Sequence, residues 1–354
     1  MLIQCRQYLS TIVVFFVLAD FLFPAYSKYS NETFEQIFSP ALTISSRDFT
    51  DEFIPAGIRM LLLVGQAKAG STQLHSILST SSRIAGGRVK EPTILDSIEQ
   101  VSLERYLRFW NINLKNPNKQ WLLDGTPENL YYPIAAVRAH RLKALGVNLK
   151  VIAILRNPAE RAYSDWSMNK RRCEKAKLAD HFRRYNVLHS WSALHCRAYA
   201  ILLKEEFNIL RNLGCAQVDT RTVEKYVQCF GKFVKCYSKR VNNTACSMHG
   251  KQMCDENKAC TKSPFFHTMG LLTKGNYEPQ IKMWKASIGE ESFLVLNSTQ
   301  LNDIRKLEES ISNLLGEKIE FRRNTKTLGN KGKYRKSGAV YKRGVSTWWE
   351  YSII

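Results

Sequence analysis

The sequence predicts an α/β protein with a central parallel sheet covered on both faces, and three observations carry that prediction. Short apolar runs recur at Met60 to Val64, Trp121 to Leu123, Val151 to Leu155 and Phe293 to Leu296. Helix-patterned stretches lie near Tyr131 to Leu145, Ala159 to Lys170, Tyr199 to Asn212 and Glu278 to Ser287. The first run ends at Gly65, and a turn leads from it into a helical segment, Ser71 to Ser79, which makes half of a βαβ unit. Strands that are apolar throughout must be buried on both sides, so the architecture expected is a three-layer sandwich.

The size and composition suit such a core. The chain has 354 residues, 44% hydrophobic and 23% charged, which excludes a largely disordered chain, a collagen-like one and a multi-span membrane protein. The charge is unusual: 52 Lys and Arg against 31 Asp and Glu leave +21, enough to gather a polyanion through its long-range field. Nucleic acid, anionic lipid and acidic polysaccharide all fit that description, and compartment chooses among them.

The compartment is read from the N-terminus and the cysteines. Tyr8 to Tyr26 is nearly all apolar, with Asp20 its only acid, and it follows a head containing Arg6. That pattern is an export signal, either kept as a single membrane anchor or cut near Ala25 and Ser27. Residues 1–27 are therefore assigned to the head and anchor, 28–58 to a stem and 59–349 to the folded domain. Of nine cysteines, Cys5 lies in the head; Cys173, Cys196, Cys215, Cys229, Cys236, Cys246, Cys254 and Cys260 fall in one region. None of their gaps is C-x-x-C, so disulfides in an oxidising lumen fit better than a zinc ribbon, with up to four bridges of open connectivity; reduced core cysteines are the alternative. The polar stretch from about 215 to 264 reads as a disulfide-stapled insertion. Sequons at Asn31, Asn242 and Asn297 agree with lumenal exposure. The stretch from Phe321 to Trp349 has nine Lys and Arg and no acid, with Gly329, Gly332, Gly338 and Gly344 spaced through it, and reads as a basic loop.

Two segments carry chemistry. Gly65-Gln-Ala-Lys68-Ala69-Gly70-Ser71-Thr72 joins a strand to a helix, where backbone N–H groups and the helix dipole hold an anion, so the fold is P-loop-like. A nucleoside triphosphatase needs its lysine directly after the second glycine, whereas Lys68 comes two residues before Gly70; hydrolysis of ATP or GTP is thereby disfavoured. The second segment is Arg156-Asn-Pro158-Ala-Glu-Arg161-Ala-Tyr163-Ser164, at the carboxyl end of a strand, with Asn157 suited to cap the helix and Pro158 to its first turn. A guanidinium fork with a hydroxyl two turns on is a sound phosphate receptor. A solvated surface helix is the bland alternative. The seven histidines show no metal-ligand spacing, so no metal is expected.

Together these segments resemble the membrane-anchored carbohydrate sulfotransferases that modify glycosaminoglycans, over most of residues 59–345. The resemblance implies that Lys68, Ala69, Gly70, Ser71 and Thr72 hold the 5′-phosphosulfate of 3′-phosphoadenosine 5′-phosphosulfate, and that Arg156 and Ser164 hold its 3′-phosphate. Lys90-Glu91-Pro92 looks like the acidic substrate-side element, Asp124-Gly-Thr126-Pro127 like the segment after a central strand, and Gly275-Asn-Tyr277 with Gln280 and Trp284 like a later helix. Asn330-Lys331-Gly332-Lys333-Tyr334 resembles the loop that closes over the nucleotide. By this reading Lys68 stabilises the leaving group and Glu91 is the general base, with a salt bridge to Lys90 as its bland alternative. Some relatives carry a lysine where this chain has Gly125, and Thr93 stands where others have an aromatic or histidine, so the acceptor sugar stays open. The implied acceptor is an anionic glycan of chondroitin, dermatan or heparan type, not nucleic acid, with Lys170, Arg171, Arg172 and Arg183 as candidate contacts. The implied place is the Golgi membrane, as a single-pass protein with a lumenal domain. A silent glycan-binding protein of the same fold and a lumenal nucleotide kinase are the competing readings.

Overall fold

The computed structural model describes residues 57–96, 102–110, 120–178, 198–212, 214–215, 222–230 and 270–322. All belong to the compact unit Phe38–Ile354. The apolar head and anchor, the stem up to residue 56, the sequons at Asn31 and Asn242, and the basic stretch with Lys331, Gly332 and Lys333 lie outside them, as do Arg183 and Cys5, Cys196, Cys236, Cys246, Cys254 and Cys260. Among the described residues no helix is long and apolar enough to cross a membrane.

Among the described residues five strands form one sheet: β1 (Arg59–Gly65), β2 (Ile84–Gly86), β3 (Trp121–Asp124), β4 (Asn148–Leu155) and β5 (Phe293–Asn297). Their order is β2-β3-β1-β4-β5 and every pairing is parallel. Among the described residues these helices accompany them, besides a helical stretch at 223–230: α1 (Ser71–Leu78), α2 (Leu103–Leu107), α3 (Pro133–Ala144), α4 (Pro158–Leu178), α5 (Tyr199–Asn212), α6 (Tyr277–Ile288) and α7 (Ile304–Leu315). Side chains alternate across a strand. One face of the sheet therefore presents Leu61, Leu63, Leu123, Ile152 and Ile154, which pack on Leu74, Ile77 and Leu78 of α1 and on Leu307, Ile311 and Leu315 of α7. On the other face lie the fully buried Met60, Leu62 and Val151, where α3 packs against α6 and β4. The three-layer α/β sandwich expected from the strand spacing is the architecture observed.

Local chemistry explains where the elements begin. The Asn157 carboxamide accepts from the backbone N–H of Ala159 at 3.0 Å and of Glu160 at 3.1 Å, so it caps α4, and Pro158 follows it. Helix α4 runs to Leu178, eight residues past the end expected from its pattern, because its polar second half continues as a charged helix. Three of the named elements escaped the sequence reading. β2 is only three residues long and α2 only five, too short for a period to show. Helix α7 has buried residues just once per turn, at 307, 311 and 315, with Asp303 accepting from the Lys306 N–H at its start and Gly316 in the left-handed conformation (φ 68°) at its end.

The expected cysteine insertion also gains definition. Residues 223–230 are helical, which polar composition hid, and a Cys215–Cys229 disulfide ties that helix to the end of α5. Tyr226 donates its hydroxyl to the Tyr131 carbonyl at 2.7 Å, and Phe230 meets the rings of Tyr131 and Tyr132 edge-on. The bridge thus holds an aromatic plug against the start of α3.

Candidate functional site

Strand order fixes where a ligand can sit. β1 lies between β3 and β4; the chain leaving β1 heads toward β2 and β3, while the chain leaving β4 heads toward β5. Their carboxyl ends therefore splay apart, and the crevice between them is where open α/β sheets bind. Gly65 to Gly70 turns across that crevice. The Gln66 N–H donates to the Ile154 carbonyl of β4, and the Gln66 side chain is fully buried, its amide donating to the Lys274 carbonyl at 2.8 Å. Lys68 has φ 70°, a left-handed conformation that costs an L-residue about 1–2 kcal/mol. Gly70 takes φ 106°, a conformation that disfavours any side chain, and a Cβ there would stand 2.9 Å from Leu301 Cδ1. As N-cap of α1 it supplies no capping side chain, so no side-chain cap covers the first turn at Ser71 and Thr72. Ser71 is buried and Thr72 exposed.

The second segment meets the first. Lys68 Nζ lies 3.4 Å from Met168 Sδ on α4. Ser164, buried, is one helical turn before Met168 on the same face of α4. Arg156 stands just past the end of β4, partly exposed, its guanidinium on Glu160 through Nε at 3.0 Å and Nη2 at 2.9 Å. Its own carbonyl accepts from the Tyr277 hydroxyl at 2.9 Å, which brings the Gly275 to Tyr277 segment to the same rim. Lys68, Ser164 and Arg156, 96 residues apart at the extremes, thus share one crevice.

Lys90 and Glu91 lie on the opposite flank of β1. The Gly125 N–H donates to the Lys90 carbonyl at 2.9 Å and the Thr93 N–H to Thr126 Oγ1 at 3.3 Å, pinning this segment to the tip of β3. Thr93 takes a left-handed φ of 52°. Glu91 is exposed to 45%, and the Lys90 ammonium pairs with its carboxylate, so the salt bridge weighed against a catalytic role is present. Across the rim the order is Glu91 at β3, Lys68 at β1, Arg156 at β4. Of the acceptor candidates, Lys170 sits 5.0 Å above the Trp166 ring, Arg171 is exposed and Arg172 falls within α4. Asn297 is exposed at the end of β5, its side-chain oxygen accepting from the Thr299 N–H at 3.0 Å.

No protein-family model matches the chain, and no curated protein matches it. Among solved structures it is similar to a sulfotransferase from Alicyclobacillus acidocaldarius, 16% identical, with 73% of this chain and 81% of that one covered and a TM-score of 0.40. At that level the likeness assigns no residue a role.

Behind the rim lies a buried polar layer whose pairings pattern reading did not find. Lys274, fully buried, pairs with Glu128 at 2.7 Å and stands 5.5 Å from the Tyr131 ring centre. Gln280 donates to the Thr273 carbonyl at 3.0 Å, and Trp284 donates to the Asn129 carbonyl at 3.2 Å, so α6 buttresses the turn after β3. Asp124 accepts from the Tyr106 hydroxyl and the Thr126 N–H; burial nonetheless raises its carboxyl above the usual range. Asp96, beside it, is pushed up to about 7, first by burial and then by the negative charges of Asp124 and Glu128. The sequence reading singles out Asp124, Gln280 and Trp284 within segments of the resemblance, but it names neither their partners nor Asp96, Glu128 and Lys274.

Asp96 gives a pH prediction. Its folded pKa lies above the unfolded value of 3.8, so between about 4 and 7 the folded state holds the extra proton. Its stabilisation is complete below pH 4 and is lost as pH rises through 7. Asp96→Asn should remove that slope, so that urea midpoints of variant and wild type diverge in the variant's favour from pH 5 to pH 8. Parallel curves would refute it.

Proposed function

We propose that this chain transfers a sulfuryl group from 3′-phosphoadenosine 5′-phosphosulfate to a hydroxyl of an anionic glycan. The observation that supports the reading is the contact of Lys68 with Met168 on α4, which sets two segments suited to anions, the uncapped start of α1 with Lys68 and the start of α4 with Arg156 and Ser164, across neighbouring strands β1 and β4. A donor with phosphate groups at two ends of one nucleoside needs two such receptors. A nucleoside triphosphate needs only one.

The residues present fit that donor. The backbone of Ala69 to Thr72 holds the 5′-phosphate, and Arg156 and Ser164 the 3′-phosphate. As sulfur bonds to the acceptor oxygen and parts from the phosphate oxygen, negative charge grows on the phosphate, and the Lys68 ammonium offsets it. Glu91 takes the acceptor's proton. The rim order supports this division, with the base flanking Lys68 on one side and the arginine on the other. In this reading Lys331, Gly332 and Lys333 complete the nucleotide cover. The net charge of +21 supports a polyanionic acceptor, and the Cys215–Cys229 bridge supports a lumenal, Golgi-type setting for a chain anchored by its N-terminal apolar segment.

Titration calorimetry with 3′-phosphoadenosine 5′-phosphate, without reductant or magnesium, tests the donor site, and radiolabelled sulfate transfer to desulfated heparan, chondroitin and dermatan chains tests the reaction. Binding with transfer supports the reading. Binding without transfer to any chain would leave a silent glycan-binding protein, and absence of binding sinks the donor assignment. Arg156→Ala should weaken nucleotide binding roughly 10–100-fold, the loss of about 1.5–3 kcal/mol for a charged hydrogen bond, and change turnover at saturation little.

A further inference from the structure

Gly125 has no side chain because His75 occupies the space. A Cβ at Gly125 would stand 2.5 Å from His75 Cδ2, 3.0 Å from the Lys90 carbonyl oxygen and 3.2 Å from Lys90 Cγ. The ring of His75, on α1, and the stem of Lys90 therefore converge on one point. Cδ2 is bonded to Nε2, and among the described residues that nitrogen has no hydrogen-bond partner although it is shielded from solvent. A buried polar atom without a partner costs about 1–3 kcal/mol, so its retention calls for a use. The ring is neutral: burial first, and then the Lys90 charge, hold His75 down to about 4, against a weaker opposing pull from Glu91. With its proton on Nδ1, a neutral imidazole offers a lone pair at Nε2, which an ammonium can approach.

Lys90 at present holds Glu91. A carboxylate oxygen that grips an ammonium must release it before it can take a hydroxyl proton. We propose that His75 is a positioning residue that receives the Lys90 ammonium on Nε2, freeing Glu91 to act as base. The lysine side chain has several rotatable bonds, and its ammonium needs only to swing from one neighbour to the other. This inference rests on the assignment of Glu91 as the base of sulfuryl transfer.

The test is a suppressor experiment on the full chain, with transfer of radiolabelled sulfate as readout. His75→Phe keeps the ring volume and removes the nitrogen; it should lower kcat about tenfold while leaving the affinity for 3′-phosphoadenosine 5′-phosphate unchanged. Adding Lys90→Met to it should restore most of the lost rate, because no ammonium then remains to occupy Glu91. A purely structural histidine predicts the opposite, a double variant at least as slow as the single one. His75→Gln, which retains an acceptor, should stay within threefold of wild type. A normal rate in His75→Phe, or a slow one that Lys90→Met does not relieve, overturns the proposal. If His75→Phe fails to bind nucleotide, the same pair of measurements on His75→Leu decides. Wild type without any transfer activity instead defeats the underlying reading of Glu91 and leaves these rates undefined.

Discussion

Lys68→Ala is expected to lower kcat for sulfate transfer by about 10²–10³, the usual cost of removing one preorganised donor from developing negative charge. The protein should remain folded. Lys68 reaches Met168 of α4 through its side chain, but the turn itself is held by Gln66, whose backbone bonds β4 and whose side chain is buried against Lys274 and Gln280. Alanine keeps the same left-handed backbone cost as lysine, so the thermal midpoint should move little. Nucleotide affinity should fall much less than turnover, because Arg156 and the α1 N-terminus remain. This split is what separates stabilisation of a leaving group from simple anion binding, and kcat and nucleotide affinity measured on the one variant read it directly. A rate within a factor of three of wild type would remove Lys68 from the chemistry.

Arg161→Ala is expected to cost about 3–5 kcal/mol of stability, the penalty for leaving a buried charge without its partner. Arg161 is fully buried on α4, beside the proposed phosphate receptor. It donates to Asp165 at 3.2 Å and to the carbonyls of Gly270 and Leu271 at 3.2 and 2.6 Å. Glu206 of α5 accepts from the N–H groups of Leu272 and Thr273 at 3.2 and 2.9 Å, so this one strand of chain is clamped from two helices. Removing Arg161 leaves the buried Asp165 carboxylate with Asn169 but no cation, and frees two carbonyls in a buried site. Urea unfolding should show the loss as a lowered midpoint with the slope kept. A loss under 1 kcal/mol would mean that water enters and replaces the arginine. The same variant should also weaken nucleotide binding, since the Gly275 to Tyr277 segment reaches Arg156 through the Tyr277 hydroxyl.

Much of the molecule was legible in one dimension because short-range physics writes it there. Apolar runs of strand length, Gly65 at a chain reversal, and Asn157 with Pro158 before a helix each act within a few residues, and the structure has β1, β4 and the α4 cap where those signals fall. The elements that stayed hidden, β2, α2 and α7, draw their stability from contacts distant in sequence. Leu307, Ile311 and Leu315 count as a core stripe only once Leu61, Leu63 and Ile154 stand opposite them.

The site divides the same way. Residue types and spacing sufficed to nominate Lys68, Arg156 and Ser164, since each lies in a local segment whose chemistry is its own, while Glu91 was nominated only through the family resemblance. Their arrangement had to wait for the sheet order, which alone puts the Lys90–Glu91 segment at β3 on one flank of Lys68 and Arg156 at β4 on the other. The buried layer of Asp96, Asp124, Glu128 and Lys274, and the packing of His75 against Gly125, belong wholly to the folded molecule. Desolvation and pairing depend on neighbours brought from tens to more than a hundred residues away, and no local pattern records who those neighbours are.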